Sequence, residues 1–206
     1  MLGGISTLMK RYLRHLFVAA TIVFSFIGLW AFWWEPASLR VHEETLSVPW
    51  PRPPLRVALL TDLHIGSPHQ DLKKLQQIVA LTNATRPDLI CILGDLVIRG
   101  VVGGTFVPPE PIAQELANLR APLGVVAVLG NHDYWVDAVQ VTGALQNHGI
   151  TVLDDSAMTL NTPNGPIWIV GVSDFWTGKH DVKKALQFVT DDNPVIATTH
   201  NPDIFP

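Results

Sequence analysis

Three apolar runs in this chain each break off into metal-ligating chemistry, and the intervals between them dictate a fold. Leu55 to Thr61 runs into Asp62-Leu63-His64, Asp88 to Leu93 into Gly94-Asp95, and Gly124 to Leu129 into Gly130-Asn131-His132-Asp133. Asp62 and Asp95 are 33 residues apart, and Asp95 and Asn131 are 36 apart. Each interval has room for a strand, a crossover helix and the next strand. The runs are apolar throughout rather than alternating, which fits parallel strands buried on both faces. Ligands of such sheets bind beyond the carboxyl ends of the strands, and that is where every one of these polar motifs stands.

The rest of the chain supports that frame. The periodicity predicts helices over Asp71 to Asn83, Pro111 to Leu119 and Trp135 to Gln146, between the three strands. The second half changes character. Short strands are predicted at Thr151 to Leu153, Met158 to Leu160 and Ile167 to Val172, with a hairpin turn at Asn164-Gly165. A helix over Asp181 to Thr190 and a strand over Val195 to Thr199 follow, the latter leading into His200. Strand–helix alternation followed by a hairpin implies an α/β domain with two sheets.

A different kind of segment precedes this domain. From Leu16 to Trp34 there are 19 residues without Asp, Glu, Lys or Arg. As a helix they reach about 28 Å, close to the roughly 30 Å hydrocarbon thickness of a bilayer. Trp30, Trp33 and Trp34 cluster at one end, as aromatic rings do at a membrane interface. A cleaved leader has a shorter apolar core and small residues at its cleavage site, whereas Trp-Trp-Glu-Pro follows here. A buried core helix is the third reading, but 19 uncharged residues exceed its usual length. An uncleaved anchor fits best. Lys10, Arg11 and Arg14 before it favour a cytoplasmic tail at 1–15, a span at 16–34 and a domain on the opposite side. Residues 35–54 carry five prolines and read as a linker, with Leu39 to Leu46 as a short edge strand within it. The globular domain is then 55–206.

Composition excludes some functions. Net charge is −4 and the pI about 6.0, so no basic surface for nucleic acid is evident. The single cysteine, Cys91, sits in the run Leu89-Ile90-Cys91-Ile92-Leu93 and reads as a small core residue.

Taken singly, each polar motif has an ordinary explanation. An Asp-x-His triplet or a Gly-Asp pair can end a strand, and Asn or Asp can cap a helix. Asp133 fits either capping or the orientation of His132. A lone His200 would usually be structural. Together, in this order and at crossover spacing, they place hard and borderline donors at one sheet edge, which suits manganese, iron or zinc.

With its motifs Thr61-Asp62-Leu63-His64-Ile65-Gly66, Leu93-Gly94-Asp95-Leu96-Val97, Gly130-Asn131-His132-Asp133 and His200-Asn201-Pro202-Asp203, the chain resembles the calcineurin-like metallophosphoesterases, in particular their bacterial membrane-associated branch. The resemblance implies two packed β-sheets flanked by helices, behind one transmembrane helix in the inner membrane. It also implies two divalent metal ions (Mn, Fe or Zn), with Asp62 and His64 on the first, Asp95 bridging, and Asn131 and His200 on the second. His132 would contact the phosphate and protonate the leaving oxygen. The activity implied is hydrolysis of a phosphodiester or pyrophosphate bond by a hydroxide that two metals generate from water. A substrate that is lipid-linked would suit the anchor. Trp176 and Lys179 are candidate cleft residues. The family pattern closes with a Gly-His-x-His motif beyond the position of His200, and this chain stops at Pro206 ahead of it. A fragment of a longer reading frame is the favoured explanation. The alternative is a non-catalytic, membrane-tethered binding protein with a degenerate site.

Overall fold

The protein is described here by a computed structural model covering residues 2–48, 54–163, 165–177 and 180–204. It divides into two compact units between Arg40 and Val41. The first is one long helix: α1 (Leu2–Leu29) passes through a π-helical stretch at Trp30–Trp34 into a last turn, α2 (Glu35–Ala37). Within Met9–Ala37 an 18-residue stretch reaches a mean hydropathy of 2.1 and none of that stretch is buried, so the helix is long and apolar enough to cross a membrane. The helix extends past the expected Trp34, because Glu35-Pro36-Ala37 adds a turn before Ser38 becomes extended. The edge strand expected over Leu39 to Leu46 is not formed. Leu46 is 81% exposed, so the segment has no apolar face to bury and no neighbouring strand to follow.

The second unit is built on a parallel sheet of β1 (Val57–Leu60), β2 (Leu89–Ile92), β3 (Val125–Ala127) and β4 (Thr151–Val152), in the order β1-β2-β3-β4. Crossovers run through α3 (Leu72–Ala84), α4 (Pro109–Leu116) and α5 (Asn131–Asn147). The second sheet has the order β5-β6-β7, from β5 (Ser156–Thr162), β6 (Gly165–Val172) and β7 (Val195–Thr199). Its β5–β6 hairpin pairs Thr162 with Gly165, and Asn164 at the turn lies outside the described residues. β6 and β7 run parallel, joined through the short helix α6 (Val182–Leu186).

Burial on both faces explains the continuous apolar runs. Ile90, Ile92, Ala127 and Leu129 pack with Leu75, Ile112 and Leu145 of the crossover helices. Their strand neighbours Leu89, Cys91, Val126 and Val128 point the other way, onto Leu160, Ile167 and Ile169 of the second sheet. Val170 and Val172 face away again and cover Ala185 of α6. The layers are helices, sheet, sheet, helix, as expected. Cys91 lies in the seam between the sheets, and burial pushes its thiol up to about 12, which leaves it unreactive in the folded protein.

The observed strands are shorter than the apolar runs. Ladder pairing ends where the polar motifs turn the backbone aside, and α6 covers only part of the helix expected from Asp181 to Thr190. α5 starts earlier than expected, at Asn131, so Asn131, His132 and Asp133 form its first turn. Asp137 is non-helical within it and divides it in two.

Candidate metal centre

The segments that follow β1 and β2 keep hydrogen bonding to each other beyond the ends of the strands. Asp62 N–H donates to Gly94 O (3.1 Å), His64 N–H to Asp95 O (2.9 Å) and Ile65 N–H to Leu96 O (2.9 Å). Asp62, His64 and Asp95 all adopt positive φ, at 53°, 41° and 56°. Non-glycine residues rarely do so, and strain of this kind collects at functional sites. Here the left-handed residues turn the Asp62, His64 and Asp95 side chains toward one another.

Glycine makes the next step possible. A Cβ on Gly94 would lie 2.2 Å from Gly130 N, and one on Gly130 would lie 2.2 Å from Asp95 Oδ1. The turns after β2 and β3 therefore touch backbone to backbone. That contact brings His132 to the Asp95 carboxylate, and Asn131, half-buried, opens α5 beside it in sequence. His132 N–H donates to Asp95 Oδ1 (2.9 Å).

Asp133 holds the two turns together. Its carboxylate accepts from Asp95 N–H (2.8 Å), Leu96 N–H (2.9 Å), Val97 N–H (3.2 Å) and Gly130 N–H (3.0 Å). The last of these bonds is a helix cap. The other three bind the neighbouring loop, a role that neither of the expected ones, capping or His132 orientation, had included. Complete burial pushes the Asp133 carboxyl up to about 6, with the Gly130, Val97 and Leu96 bonds pulling the other way. Asp133→Ala is expected to cost about 3 kcal/mol or more, because four buried N–H groups lose their acceptor. A urea titration against the parent protein measures it.

The centre gathers around Asp95, which is 3% exposed. Its Oδ2 lies 3.5 Å from His64 Nε2 and 3.5 Å from His200 Nε2, and His64 Nε2 is 3.6 Å from Asp62 Oδ1. Donor atoms of Asp62, Asp95 and His200 lie within 4.8 Å of one another, as do those of His64, Asp95 and His132. These separations are too long for good hydrogen bonds. They lie just above the edge between two ligands on one ion, about 3.0–3.4 Å for bonds near 2.1 Å. His200 Nδ1 meets Leu93 O at 2.7 Å. With Nδ1–H donated there, the imidazole turns its Nε2 toward Asp95. His64 Nδ1 is buried without a hydrogen-bond partner. The donor set fits divalent cations.

The His132 ring meets the His64 ring edge-on at 4.9 Å and the Trp135 ring at 4.8 Å. Beside it, Tyr134 Oη donates to Asp154 Oδ1 (2.9 Å), and the Ser173 hydroxyl bonds the same oxygen. Burial raises the Tyr134 phenol, and the adjoining Asp154 raises it further. This link between α5 and the loop after β6 had no signal in the sequence, since neither Asp154 nor Ser173 stands in a motif. His148 bonds Glu110 (2.8 Å) and His42 bonds Glu44 (2.8 Å). His180 stacks on Phe175 at 5.0 Å. Trp176 is exposed, and Lys179 lies outside the described residues.

Comparison with known proteins agrees with the strand-end motifs. The description "Calcineurin-like phosphoesterase" matches residues 55–204. A "Transmembrane protein with metallophosphoesterase domain" from Bos taurus is 30% identical over 216 residues, covering 97% of this chain and 47% of the relative. A protein of the same description from Danio rerio is 32% identical over 159 residues, covering 72% and 35%. "UDP-2,3-diacylglucosamine pyrophosphatase LpxG" from Chlamydia trachomatis is 28% identical over 225 residues, covering 85% and 66%. The chain thus spans less than two thirds of each of these relatives. Metal-dependent hydrolysis of phosphoesters is the chemistry of the matching family, and a match over most of the chain, seated on a carboxylate shared by two histidines, makes this protein a member of the calcineurin-like phosphoesterases.

Proposed function

We propose that the protein hydrolyses a phosphodiester or pyrophosphate bond at the centre around Asp95, while held to a membrane by its N-terminal helix. The observation that carries this is one carboxylate oxygen, Asp95 Oδ2, lying 3.5 Å from imidazole nitrogens on two different elements. In this reading Asp62 and His64 would hold one divalent cation and Asn131 and His200 a second, with Asp95 contributing to each. Two such cations, when bound, neutralise phosphate oxygens and lower the pKa of water.

The chain's own residues supply the rest. His132 is fixed through its N–H on Asp95 Oδ1 and its ring edge on Trp135. From there its imidazolium gives a proton to the departing oxygen and draws the phosphate charge. Asp133 keeps the Asp95 turn from relaxing, and Leu93 O keeps His200 in one tautomer.

Support for a lipid-linked substrate comes from the apolar helix Met9–Ala37 and from a relative named for a diacylglucosamine nucleotide pyrophosphatase. Lys10, Arg11 and Arg14, ahead of the uncharged stretch that begins at Leu16, support a cytoplasmic N-terminus. The test is hydrolysis of an aryl phosphodiester by protein made from its complete reading frame, with added manganese. His132→Ala is expected to lower kcat by about 100- to 10,000-fold with unchanged metal content. A parent protein inactive on phosphodiesters and pyrophosphates, or a His132→Ala variant with full kcat, overturns the reading.

A further inference from the structure

Trp135 is 62% exposed. Single exposed apolar residues are ordinary on a folded surface, and Leu59 and Val139 are further examples here. What sets Trp135 apart is its contact. Its ring meets the His132 ring edge-on at 4.8 Å, and His132 meets His64 in the same manner at 4.9 Å, so three rings run from the centre to the surface. The turn that carries Trp135 is held firmly. Asp133 accepts from four backbone N–H groups, and Tyr134 Oη donates to Asp154. Asp137 then interrupts α5, so this turn is separate from the stretch that buries Val141, Ala144 and Leu145. The indole N–H has no partner among the described residues. Burial in the core does not explain a tryptophan at this place.

We infer that Trp135 is a platform for the leaving group, and that the leaving group is a ring, aryl or sugar, joined directly to the departing oxygen. This rests on the function proposed above, in which His132 gives its proton to that oxygen. The oxygen then lies within hydrogen-bond reach of the His132 imidazole, and Trp135 is the exposed ring touching that imidazole. The first group attached to the oxygen comes against the indole. An indole offers a flat apolar face and one N–H donor at its edge. A ring covers such a face in a single rigid placement, whereas an open chain must give up several rotations to do the same. The N–H is left to donate to a polar substituent on the ring.

Three phosphodiesters test this on protein made from its complete reading frame with added manganese. Bis(para-nitrophenyl) phosphate carries an aryl ring, glucosyl methyl phosphate (read by glucose release) a sugar ring, and bis(trifluoroethyl) phosphate an open chain. Each substrate is compared with itself across variants, so differences in leaving-group acidity cancel. Trp135→Ala is expected to lower kcat/KM on the ring-bearing esters by about 10- to 100-fold and to leave the open-chain ester nearly unchanged. Trp135→Phe is expected to retain most of the parental rate. Val139→Ala, at an exposed site farther along α5, is expected to change none of the three. Losses on the aryl ester alone make the ring aromatic, and losses on both extend it to sugars. Equal losses on all three, or a fall in metal content by elemental analysis, would mean that Trp135 acts through His132 or the fold, which overturns the platform. So does an alanine variant with parental kcat/KM throughout. A parent that cuts only pyrophosphates has a phosphate on its leaving oxygen, and this too overturns the platform while the proposed function stands. A parent inactive on phosphodiesters and pyrophosphates alike overturns the proposed function, and the platform with it.

Discussion

Asp95→Ala is expected to empty the site of metal and abolish turnover in the same variant. The side chain has three jobs that no neighbour can take over. Its Oδ2 stands 3.5 Å from both His64 and His200, and its Oδ1 anchors the His132 N–H. Losing an outer partner of a metal ligand costs about 10- to 100-fold in affinity or activity. Losing the shared carboxylate removes charge from both halves of the centre at once, so kcat is expected to fall by more than that. Asp95→Asn refines the result. The amide oxygen can still accept from His132, so the fold is expected to persist while metal stoichiometry falls. Elemental analysis and steady-state kinetics on the two variants check this, and an alanine variant with parental turnover would remove Asp95 from the mechanism.

Gly94→Ala is expected to be the most damaging single methyl group in the domain. Its φ of 89° is a conformation that L side chains rarely adopt, and the added carbon would sit 2.2 Å from Gly130 N and 2.7 Å from Gly130 Cα. Both obstacles are backbone, so no rotamer change relieves them. Positive-φ strain alone costs about 1–3 kcal/mol, and separating the two turns would also stretch the Asp133 bonds to Asp95 and Gly130. A total near or above about 4 kcal/mol is expected, read as a large fall in urea midpoint or as loss of soluble protein. The nearby Gly100, with φ 77° but open space around its Cβ position, is the control. Gly100→Ala carries the strain without the collision, and a Gly94 variant no worse than it would mean that the turns separate readily.

What was legible in the sequence was whatever depends on short-range pattern. Leu89 to Ile92 announces a strand buried on both faces because every residue is apolar, and the structure buries each of them. The strand-end motifs announce donors at one sheet edge because parallel topology leaves their positions little choice. What pattern could not carry was the direction of individual atoms. An aspartate at the third position of a helix reads as a cap, and nothing local shows that Asp133 also reaches across to residues 95–97. Gly94 and Gly130 read as turn residues, whereas the requirement for them lies in the approach of two turns 36 residues apart. Leu39 to Leu46 reads as a short edge strand, yet a strand exists only where another lends it a ladder. The reach of α6 was overestimated for a related reason, since only Ala185 of it is buried and little packing prolongs the helix.

His200 follows β7, whereas Asp62, Asp95 and Asn131 follow strands of the other sheet. An ion gripped by both groups acts as a rivet through the sandwich, recognising only the assembled form. Ligation of that kind adds RT ln(1 + [L]/Kd) to stability, about 2.7 kcal/mol at a hundredfold excess over Kd. A protein loaded in the way proposed would therefore unfold at a higher urea concentration with added divalent metal than with chelator.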